Sequence, residues 1–253
     1  MAMSGLKVIE DIIKTFCDGL EGQAPKPVYF DAFSFSGETK ARTTSPVFQK
    51  LGIETKDINL FRGMVEKVMA MDKPFPFDHY YFMERSEAAK EKTDERIKKT
   101  GWNNCLCLST DANAEIRKLA NTVRRKETSA LLLLDTVGLN ISWRSITAFR
   151  GSTATIIIVI SVASVINRLL SENGTVRSHY LLAQLLGTDR ESMVELFKQK
   201  RDTAEIIKTI AFVYGERIAT LCGNTVEIKE IVNERKVTFF YLVIGNMKGH
   251  YKN

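Results

Sequence analysis

The sequence predicts a mainly α-helical fold of two lobes, with a basic cleft between them, few short strands and an extended arm at each terminus. The 253 residues include only 5 prolines and 15 glycines, and this scarcity of turn residues favours long helices over a sandwich of short strands. Apolar residues make up 44% of the chain, enough for a sizeable core in one large domain or in two ordinary lobes. This composition excludes global disorder.

Charge and cysteine content narrow the expected partners and compartment. There are 36 lysines and arginines against 30 acidic residues, a net charge of +6, which fits a nucleic-acid or acidic partner without requiring one. The first 20 residues lack the pattern of a secretory signal, so we expect the four cysteines to be reduced and buried in the cytosol. The pair Cys105-x-Cys107 lacks the spacing of a zinc site.

Residues 140–170 are the stretch around which the predicted fold is built. Between Ile156 and Ile166 only Ser161 and Ser164 interrupt the apolar run, and a helix that is apolar on every side belongs in a protein centre or in a membrane. The run is shorter than the ~18 residues of a membrane span. We therefore interpret it as the central buried helix.

Apolar spacing predicts the elements of the first half. An amphipathic helix covers 5–20, and glycines and prolines then separate it from an extended segment at 28–36. A helix is predicted over 57–71, followed by an aromatic loop at 72–82 and a solvated, charged helix at 84–99.

The second half is predicted to be helical almost to its end. Asp111 is expected to cap a helix, and 131–134 is a buried run. Three helices follow the central one: 178–187, a helix capped by Thr188 or Asp189, and 202–222. The segment 237–245 is apolar and β-prone.

These elements divide the chain into an N-terminal arm, two lobes and a C-terminal arm, at 1–25, 26–130, 131–235 and 236–253. Each terminal segment has two interpretations. It packs on its own chain, or it inserts into a groove of a neighbouring copy.

Motifs of common catalytic sites are absent from the sequence. It contains no HExxH, GxSxG, Walker A or GxGxxG pattern. The nearest fragment is the Glu227-Ile228-Lys229 triplet with Asp78 and Glu84 upstream, a set that a divalent-metal nuclease would use. A Glu-x-Lys triplet also occurs by chance on solvated faces.

Cationic side chains occur in both halves of the chain, mostly near predicted helix ends. The helix dipole alone favours such positions, so each residue singly is weak evidence. A cleft that collected them would follow a phosphate backbone while an aromatic ring stacked on a base; a scattered solubility charge is the alternative. The candidate RNA-binding residues are Lys40, Arg42, Arg62, Lys67, Arg124, Arg125, Lys126, Arg144, Arg150, Arg168, Arg177, Arg217 and Tyr214.

Three short patches carry a family resemblance. Residues 139–144 (LNISWR) are similar to an apolar–hydroxyl–apolar–x–Arg stretch that opens a helix near a lobe junction. Residues 33–41 resemble an early Ser-Phe-containing motif, and 167–170 are similar to an Asn-Arg-Leu motif. Together the patches resemble the nucleoproteins of segmented negative-strand RNA viruses of the bunyavirus group, including plant-infecting members.

The resemblance implies a nucleoprotein that encapsidates single-stranded viral RNA without sequence specificity, with Lys40, Arg144 and Arg168 at matching motif positions. It also implies a homo-oligomer assembled through both arms, a viral polymerase as partner, and a location in the virion and host cytoplasm. No catalysis, cofactor, metal or small-molecule substrate is expected. A helical adaptor or matrix-like protein that binds acidic partners or a membrane surface, and the metal-dependent nuclease, are the alternatives.

Overall fold

A seven-stranded sheet lies at the centre of the protein, where the sequence predicted a bundle of helices. The computed structural model describes residues 5–20, 26–32, 46–54, 77–84, 86–124, 128–199, 202–223 and 226–247. The strands are β1 (Lys26–Ala32), β2 (His79–Met83), β3 (Cys105–Leu108), β4 (Thr128–Leu134), β5 (Ala154–Ser161), β6 (Glu227–Val232) and β7 (Thr238–Asn246). The predicted mainly α fold of two helical lobes is therefore wrong, and the fold is α/β.

The strand order across the sheet is β3-β2-β1-β4-β5-β7-β6. The first five strands of this order are parallel, and β7 is antiparallel to both β5 and β6. From β1 the chain moves outward in one direction to β2 and β3, whereas β4 and β5 lie on the other side of β1. The order therefore reverses between β1 and β4.

Helices cover both faces of the sheet. In chain order the described helices are α1 (Gly5–Asp18), α2 (Pro46–Leu51), α3 (Glu87–Thr100), α4 (Ala112–Val123), α5 (Thr136–Leu139), α6 (Trp143–Thr147), α7 (Val162–Leu169), α8 (His179–Leu186), α9 (Arg190–Phe197) and α10 (Thr203–Cys222). Residues of α1 and α3, such as Ile9 and Ile97, join the core on one face. The other helices pack on the opposite face, so the sheet is buried between two helical layers.

The apolar run that was predicted as the central helix is a strand followed by a short helix. Its first part is β5 and its second part is α7, and Ser161 Oγ accepts a 3.3 Å hydrogen bond from the N–H of Ser164 where the two meet. Successive residues of β5, such as Ile156 and Ile157, join the cores on opposite faces of the sheet. A strand buried on both faces reads as a continuous apolar run, just as a buried helix does. Among the described residues, no helix is long and apolar enough to cross a membrane.

Both predicted arms contribute to this fold. Val8, Ile9, Ile12 and Ile13 of α1 are buried in the core. The apolar segment near the C-terminus is β7, which pairs with β5 and β6. Packing on the same chain is therefore the correct interpretation of both segments, and the extended arms of the predicted fold are wrong. The predicted lobe boundary at residue 130 falls within β4.

Several local predictions are confirmed. The amphipathic N-terminal helix is α1, and the charged helix is α3. Asp111 caps α4 by accepting from the N–H of Asn113, and Asp189 caps α9 by accepting from the N–H of Ser192. Gly187 ends α8. The helix predicted over 57–71 lies outside the described residues.

Gly187 is the point at which α6, α8 and α10 meet. Its φ of +67° is in the left-handed region, and a Cβ added there would lie 1.9 Å from Cδ1 of Trp143. Its carbonyl oxygen accepts a hydrogen bond from the guanidinium of Arg217, which also lies 5.0 Å from the centre of the Trp143 ring. Glycine is required at this position both by the backbone conformation and by the space available.

We predict that Gly187→Ala lowers the free energy of unfolding by about 2–4 kcal/mol, because left-handed strain and overpacking add. Urea denaturation followed by circular dichroism measures this loss. Gly223→Ala is the matched control, since Gly223 ends α10 with φ +64° but has nothing within 4 Å of an added Cβ. The control is expected to lose only about 1–2 kcal/mol, and equal losses in the two variants would contradict the packing at Trp143.

Candidate functional site

The carboxyl ends of β1 and β4 meet where the strand order reverses. In open α/β sheets, ligands bind in the crevice outside the carboxyl ends of the strands at such a point. Three buried carboxylates lie at this edge: Asp31 in β1, Glu84 directly after β2 and Asp135 directly after β4, each 5% exposed or less. A carboxylate is costly to bury without partners, and such groups in a cleft are candidates for a functional site. We call these three residues the acidic edge.

Asp31 is held by a buried tyrosine of the same strand. The hydroxyl of Tyr29 donates a 2.9 Å hydrogen bond to Oδ2 of Asp31. Burial raises the pKa of Tyr29 well above its usual value, and the charge of Asp31 raises this pKa further. Tyr29 itself packs against the rings of Phe77 and Tyr80. The carboxylate therefore has a fixed orientation at the end of β1.

Glu84 continues the sheet beyond β2 and is anchored to α3. Its N–H donates to the carbonyl of Leu108 at 2.7 Å, and its Oε1 accepts a 2.8 Å hydrogen bond from the hydroxyl of Thr93. Burial raises the pKa of the Cys107 thiol to about 12, and the charge of Glu84 contributes to this rise. The negative charge of Glu84 is therefore directed toward the α1 and α3 face of the sheet.

Asp135 occupies the corresponding position after β4. Its N–H donates to the carbonyl of Ala32 at 3.0 Å, so its backbone lies beside the end of β1. Burial raises the pKa of Tyr214, and the charge of Asp135 raises this pKa further. Asp135 is thus close enough to α10 to act electrostatically on Tyr214.

The loop that follows Asp135 is fixed by one side chain of α4. Asn113 Oδ1 accepts hydrogen bonds from the N–H of Ser142 at 2.8 Å, from the hydroxyl of Ser142 at 3.1 Å and from the hydroxyl of Ser145 at 2.8 Å. Its Nδ2 donates to the carbonyl of Asn140 at 3.0 Å, and Asn140 has a φ of 54°. The side-chain amide of Asn113 therefore holds the loop between β4 and α6 in one conformation.

The acidic edge suits a ligand that carries positive charge and hydroxyl groups. Ionised carboxylates accept hydrogen bonds and do not donate them, and they attract cations at short range. They repel a pyrophosphate, which usually also needs a glycine-rich turn after the first strand. Residues 33–45 contain a single glycine, Gly37. In the part of the chain that the structure describes, no cluster of three or more His, Cys, Asp or Glu residues could hold a metal ion.

The structure describes only some of the predicted RNA-binding residues. Lys40, Arg42, Arg62, Lys67, Arg125 and Lys126 lie outside the described residues. Arg124, Arg144, Arg150 and Arg217 lie around α6. Arg124 donates through Nε and a terminal nitrogen to the carbonyl of Ala148, at 3.0 and 2.8 Å, while Arg144 and Arg150 are exposed.

The remaining predicted residues are Arg168, Arg177 and Tyr214. Arg168 is half-buried in α7, and Arg177 is exposed before α8. Tyr214 is completely buried, and its hydroxyl donates to the carbonyl of Leu185 at 3.2 Å. The Tyr214 ring is therefore part of the core of α8 and α10 and is not exposed for stacking on a base.

The residues of the nuclease alternative do not come together. Glu227 and Lys229 lie on β6 and form an ion pair of 3.1 Å. Asp78 precedes β2 and Glu84 follows it, so these two acids lie at opposite ends of that strand. Since β2 and β6 are five strand positions apart in the sheet, the two groups are separated by about 24 Å.

The sequence patterns did not identify Asp31, Asp135 or Asn113. Asp31 and Asp135 each come at the end of an apolar run, in VYFDA and LLLLD. That position becomes a signal once both runs are recognised as parallel strands, because their carboxyl ends then share one edge. Asn113 has no sequence signal, since its partners lie 27 to 32 residues further along the chain.

Comparisons with known proteins give distant structural likenesses only. No protein-family model matches the chain, and no curated protein matches it by sequence. The CurJ carbon methyltransferase is similar with a TM-score of 0.47 and 9% identity, over 96% of this chain and 54% of that one. An rRNA methylase from Streptococcus thermophilus has a TM-score of 0.37 and 11% identity, over 94% and 96%. M. jannaschii TYW2 in complex with AdoMet has a TM-score of 0.35 and 12% identity, over 97% and 77%. The chain spans about half the length of the CurJ structure.

The nucleoprotein interpretation is wrong. The chain forms an α/β sheet with helices on both faces, rather than two helical lobes around a basic cleft. The predictions that depend on this interpretation are therefore wrong as well. They are RNA encapsidation, assembly through the arms, a viral polymerase as partner, no catalysis and no small-molecule substrate. The adaptor and nuclease alternatives are equally unsupported, and the location in virion and host cytoplasm stays a prediction.

The Tyr29–Asp31 pair predicts a specific pH dependence of stability. The unfolded chain releases the Tyr29 proton near pH ~10, whereas the folded chain retains it because its pKa is raised. The contribution of this phenol to the free energy of unfolding is fully present below pH ~10. Above that pH it decreases by up to about 1.4 kcal/mol per pH unit. Tyr29→Phe should therefore lose stability less steeply than wild type above pH ~10.

The measurement is urea denaturation at a series of pH values from neutral to strongly alkaline. At neutral pH the Tyr29→Phe variant should be less stable than wild type by about 1–3 kcal/mol, because Asp31 loses a buried donor. Tyr180→Phe is the control, since Tyr180 is 66% exposed, and its slope should match wild type. An unchanged slope in Tyr29→Phe would show that this phenol is not buried as described.

Proposed function

We propose that the protein is a methyltransferase that binds S-adenosylmethionine (AdoMet) at the acidic edge and transfers its methyl group to a second substrate. The observation that supports this choice is the set of three buried carboxylates at the carboxyl ends of β1, β2 and β4, where the strand order reverses. This edge, rather than the distant structural likenesses, supports the choice of cofactor.

The charges of the site favour AdoMet over other nucleoside cofactors. AdoMet carries a sulfonium and an ammonium group, both of which carboxylates attract. A dinucleotide such as NAD carries a pyrophosphate, which Asp31 and Asp135 repel. A pyrophosphate also needs a glycine-rich turn, and the segment after β1 contains a single glycine. The same acidic edge therefore selects for one cofactor and against the other.

Each carboxylate has a role that its position suggests. Glu84 directly follows β2, a position at which an acidic residue accepts hydrogen bonds from ribose hydroxyls in the doubly wound fold. Asp31 lies beside the switch point and its orientation is fixed by Tyr29, so it would attract the positively charged part of the cofactor. Bound AdoMet would supply a methyl group on a cationic sulfur; the acceptor would form a bond to the methyl carbon, and the sulfur would leave as a neutral thioether.

The loop after β4 would contact the methyl acceptor. It begins with Asp135, beside the end of β1, and Asn113 holds its far end in place. This loop starts at Asp135, which belongs to the acidic edge. The Asp135 carboxylate is therefore placed to orient the methyl acceptor or to accept a proton from that acceptor. Rigid support of this kind keeps a reacting group in position.

Calorimetric titration of the full chain tests the proposal directly. We expect AdoMet to bind and NAD⁺ to give no measurable heat under the same conditions. Glu84→Gln keeps the oxygen that accepts from Thr93 and removes the charge, so AdoMet should bind about tenfold more weakly. Glu172→Gln is the control, because Glu172 is an exposed carboxylate of the segment between α7 and α8, and its affinity should match wild type.

Three results would contradict the proposal. AdoMet fails to bind the folded wild type, NAD⁺ binds more tightly than AdoMet, or Glu84→Gln and Glu172→Gln bind AdoMet equally well. Circular dichroism of each variant confirms that the fold is retained before the titration is interpreted.

A further inference from the structure

The helices α4 and α6 lie side by side, and both lead away from the acidic edge. α4 begins shortly after the carboxyl end of β3, and the loop that precedes α6 starts at Asp135. Asn113, in the first turn of α4, accepts a hydrogen bond from the N–H of Ser142 at the start of α6. Arg124, at the end of α4, donates to the carbonyl of Ala148 just after α6. The two segments therefore form one continuous surface that begins beside the acidic edge.

Four exposed arginines lie along this surface. They are Arg117 in α4, Arg124 at its end, Arg144 in α6 and Arg150 shortly after α6. Arg117 and Arg124 are about two helical turns apart, so they share one face of α4. That face is the one beside α6, because Arg117 donates to Oγ of Ser145 at 3.2 Å. We call these four arginines the basic stripe.

The positive charge of the basic stripe is not compensated by acidic neighbours. The sequence contains no acidic residue between Asp135 and Glu172. The acidic residue of α4, Glu115, forms an ion pair of 2.8 Å with Lys118. Among the described residues, no carboxylate forms an ion pair with an arginine of the stripe. Charges that serve only solubility are usually of both signs and interspersed, so a surface with one sign favours an anionic partner.

The chemistry and length of the stripe fit a row of phosphates. A guanidinium has five N–H donors in a planar fork that matches a phosphate group. Arg117 uses one of these donors on a protein atom and Arg124 uses two, so both retain donors for a ligand. From Asn113 to Arg124 the helix extends about 16 Å, and each strand of a duplex carries a phosphate about every 3.4 Å. Several phosphates of one strand therefore match the length of the stripe.

The described part of this surface has no aromatic ring that could stack on a base. Trp143 and Phe149, the aromatic residues of the α6 segment, are buried, and α4 contains none. Proteins that hold single strands usually stack the bases on aromatic side chains. A duplex keeps its bases stacked on each other and has the higher charge density. The stripe is therefore better suited to the backbone of a double strand.

We propose that the basic stripe binds the phosphate backbone of a double-stranded nucleic acid and places one of its bases at the acidic edge as the methyl acceptor. The acceptor role rests on the proposed function, whereas binding to the stripe does not. The target base leaves the stack to reach the edge. A nitrogen of this base forms the bond to the methyl carbon, and the bond between that carbon and sulfur breaks with its electron pair remaining on sulfur. The proton of the nitrogen passes to the carboxylate of Asp135.

Fluorescence anisotropy of a labelled duplex of about 20 base pairs tests binding to the full chain without AdoMet. Affinity should fall steeply as salt is raised. Arg144→Gln with Arg150→Gln should weaken binding about tenfold and lower the slope of log affinity against log salt by about two. Lys98→Gln with Lys99→Gln is the matched control. It removes the same charge from exposed positions of α3 on the opposite face of the sheet, and its affinity should match wild type.

Further probes separate a duplex from other polyanions. A DNA duplex and an RNA duplex of the same sequence are both titrated, and the tighter one identifies the nucleic acid. A single strand of that sequence should bind more weakly, and polyglutamate should compete poorly. The proposal is overturned if neither duplex binds the folded chain at low salt, if the single strand binds more tightly, if polyglutamate competes as well as unlabelled duplex, or if the two double variants bind alike.

Transfer of a labelled methyl group from AdoMet to a pool of random-sequence duplexes tests the acceptor role. Label should appear in the nucleic acid, and the double variant at Arg144 and Arg150 should raise the KM for duplex while kcat stays unchanged. Binding of both AdoMet and duplex without transfer of label would overturn the acceptor role. If AdoMet fails to bind, the methyltransferase proposal fails, and the anisotropy measurement still decides whether the stripe binds a duplex.

Discussion

The structure depends on the burial of β4 and β5 between two layers of helices. All seven residues of β4 are buried, and alternate side chains of both strands enter the core on opposite faces. Each fully buried leucine or isoleucine contributes about 1.5–3 kcal/mol. This central pair also fixes the register of β1, because Ala32 lies opposite Leu134. The ends of β1 and β4 are consequently level, and Asp31 and Asp135 lie at one edge.

This apolar support explains how three carboxylates can be buried at the same edge. Each is held by a specific donor or by the extension of the sheet, as Tyr29 holds Asp31 and Thr93 holds Glu84. The polar partners offset part of the cost of desolvation. The burial of the surrounding apolar core offsets the rest of this cost. The result is a rigid negative site in a chain whose net charge is positive.

Much of the local structure could be predicted from the sequence, whereas the architecture could not. The helices α1, α3 and α4 and the caps at Asp111 and Asp189 follow from spacing and from side-chain chemistry within a few residues. The apolar run of β5 predicts a helix from sequence, because a strand buried on both faces and a buried helix have the same apolar signature. Without this strand the predicted fold has no central sheet, and therefore no edge at which Asp31 and Asp135 meet. The positive net charge then favoured a phosphate ligand, although it reports the surface as a whole and not the charge of a buried site.

The location of the cofactor is the central claim, and hydrogen–deuterium exchange of the full chain with and without AdoMet tests it most directly. Bound ligand should slow exchange in peptides that cover the ends of β1, β2 and β4, around Asp31, Glu84 and Asp135, and leave those of β6, around Lys229, unchanged. Protection confined to β6 and β7, or no protection at the acidic edge while AdoMet is bound, would contradict the account.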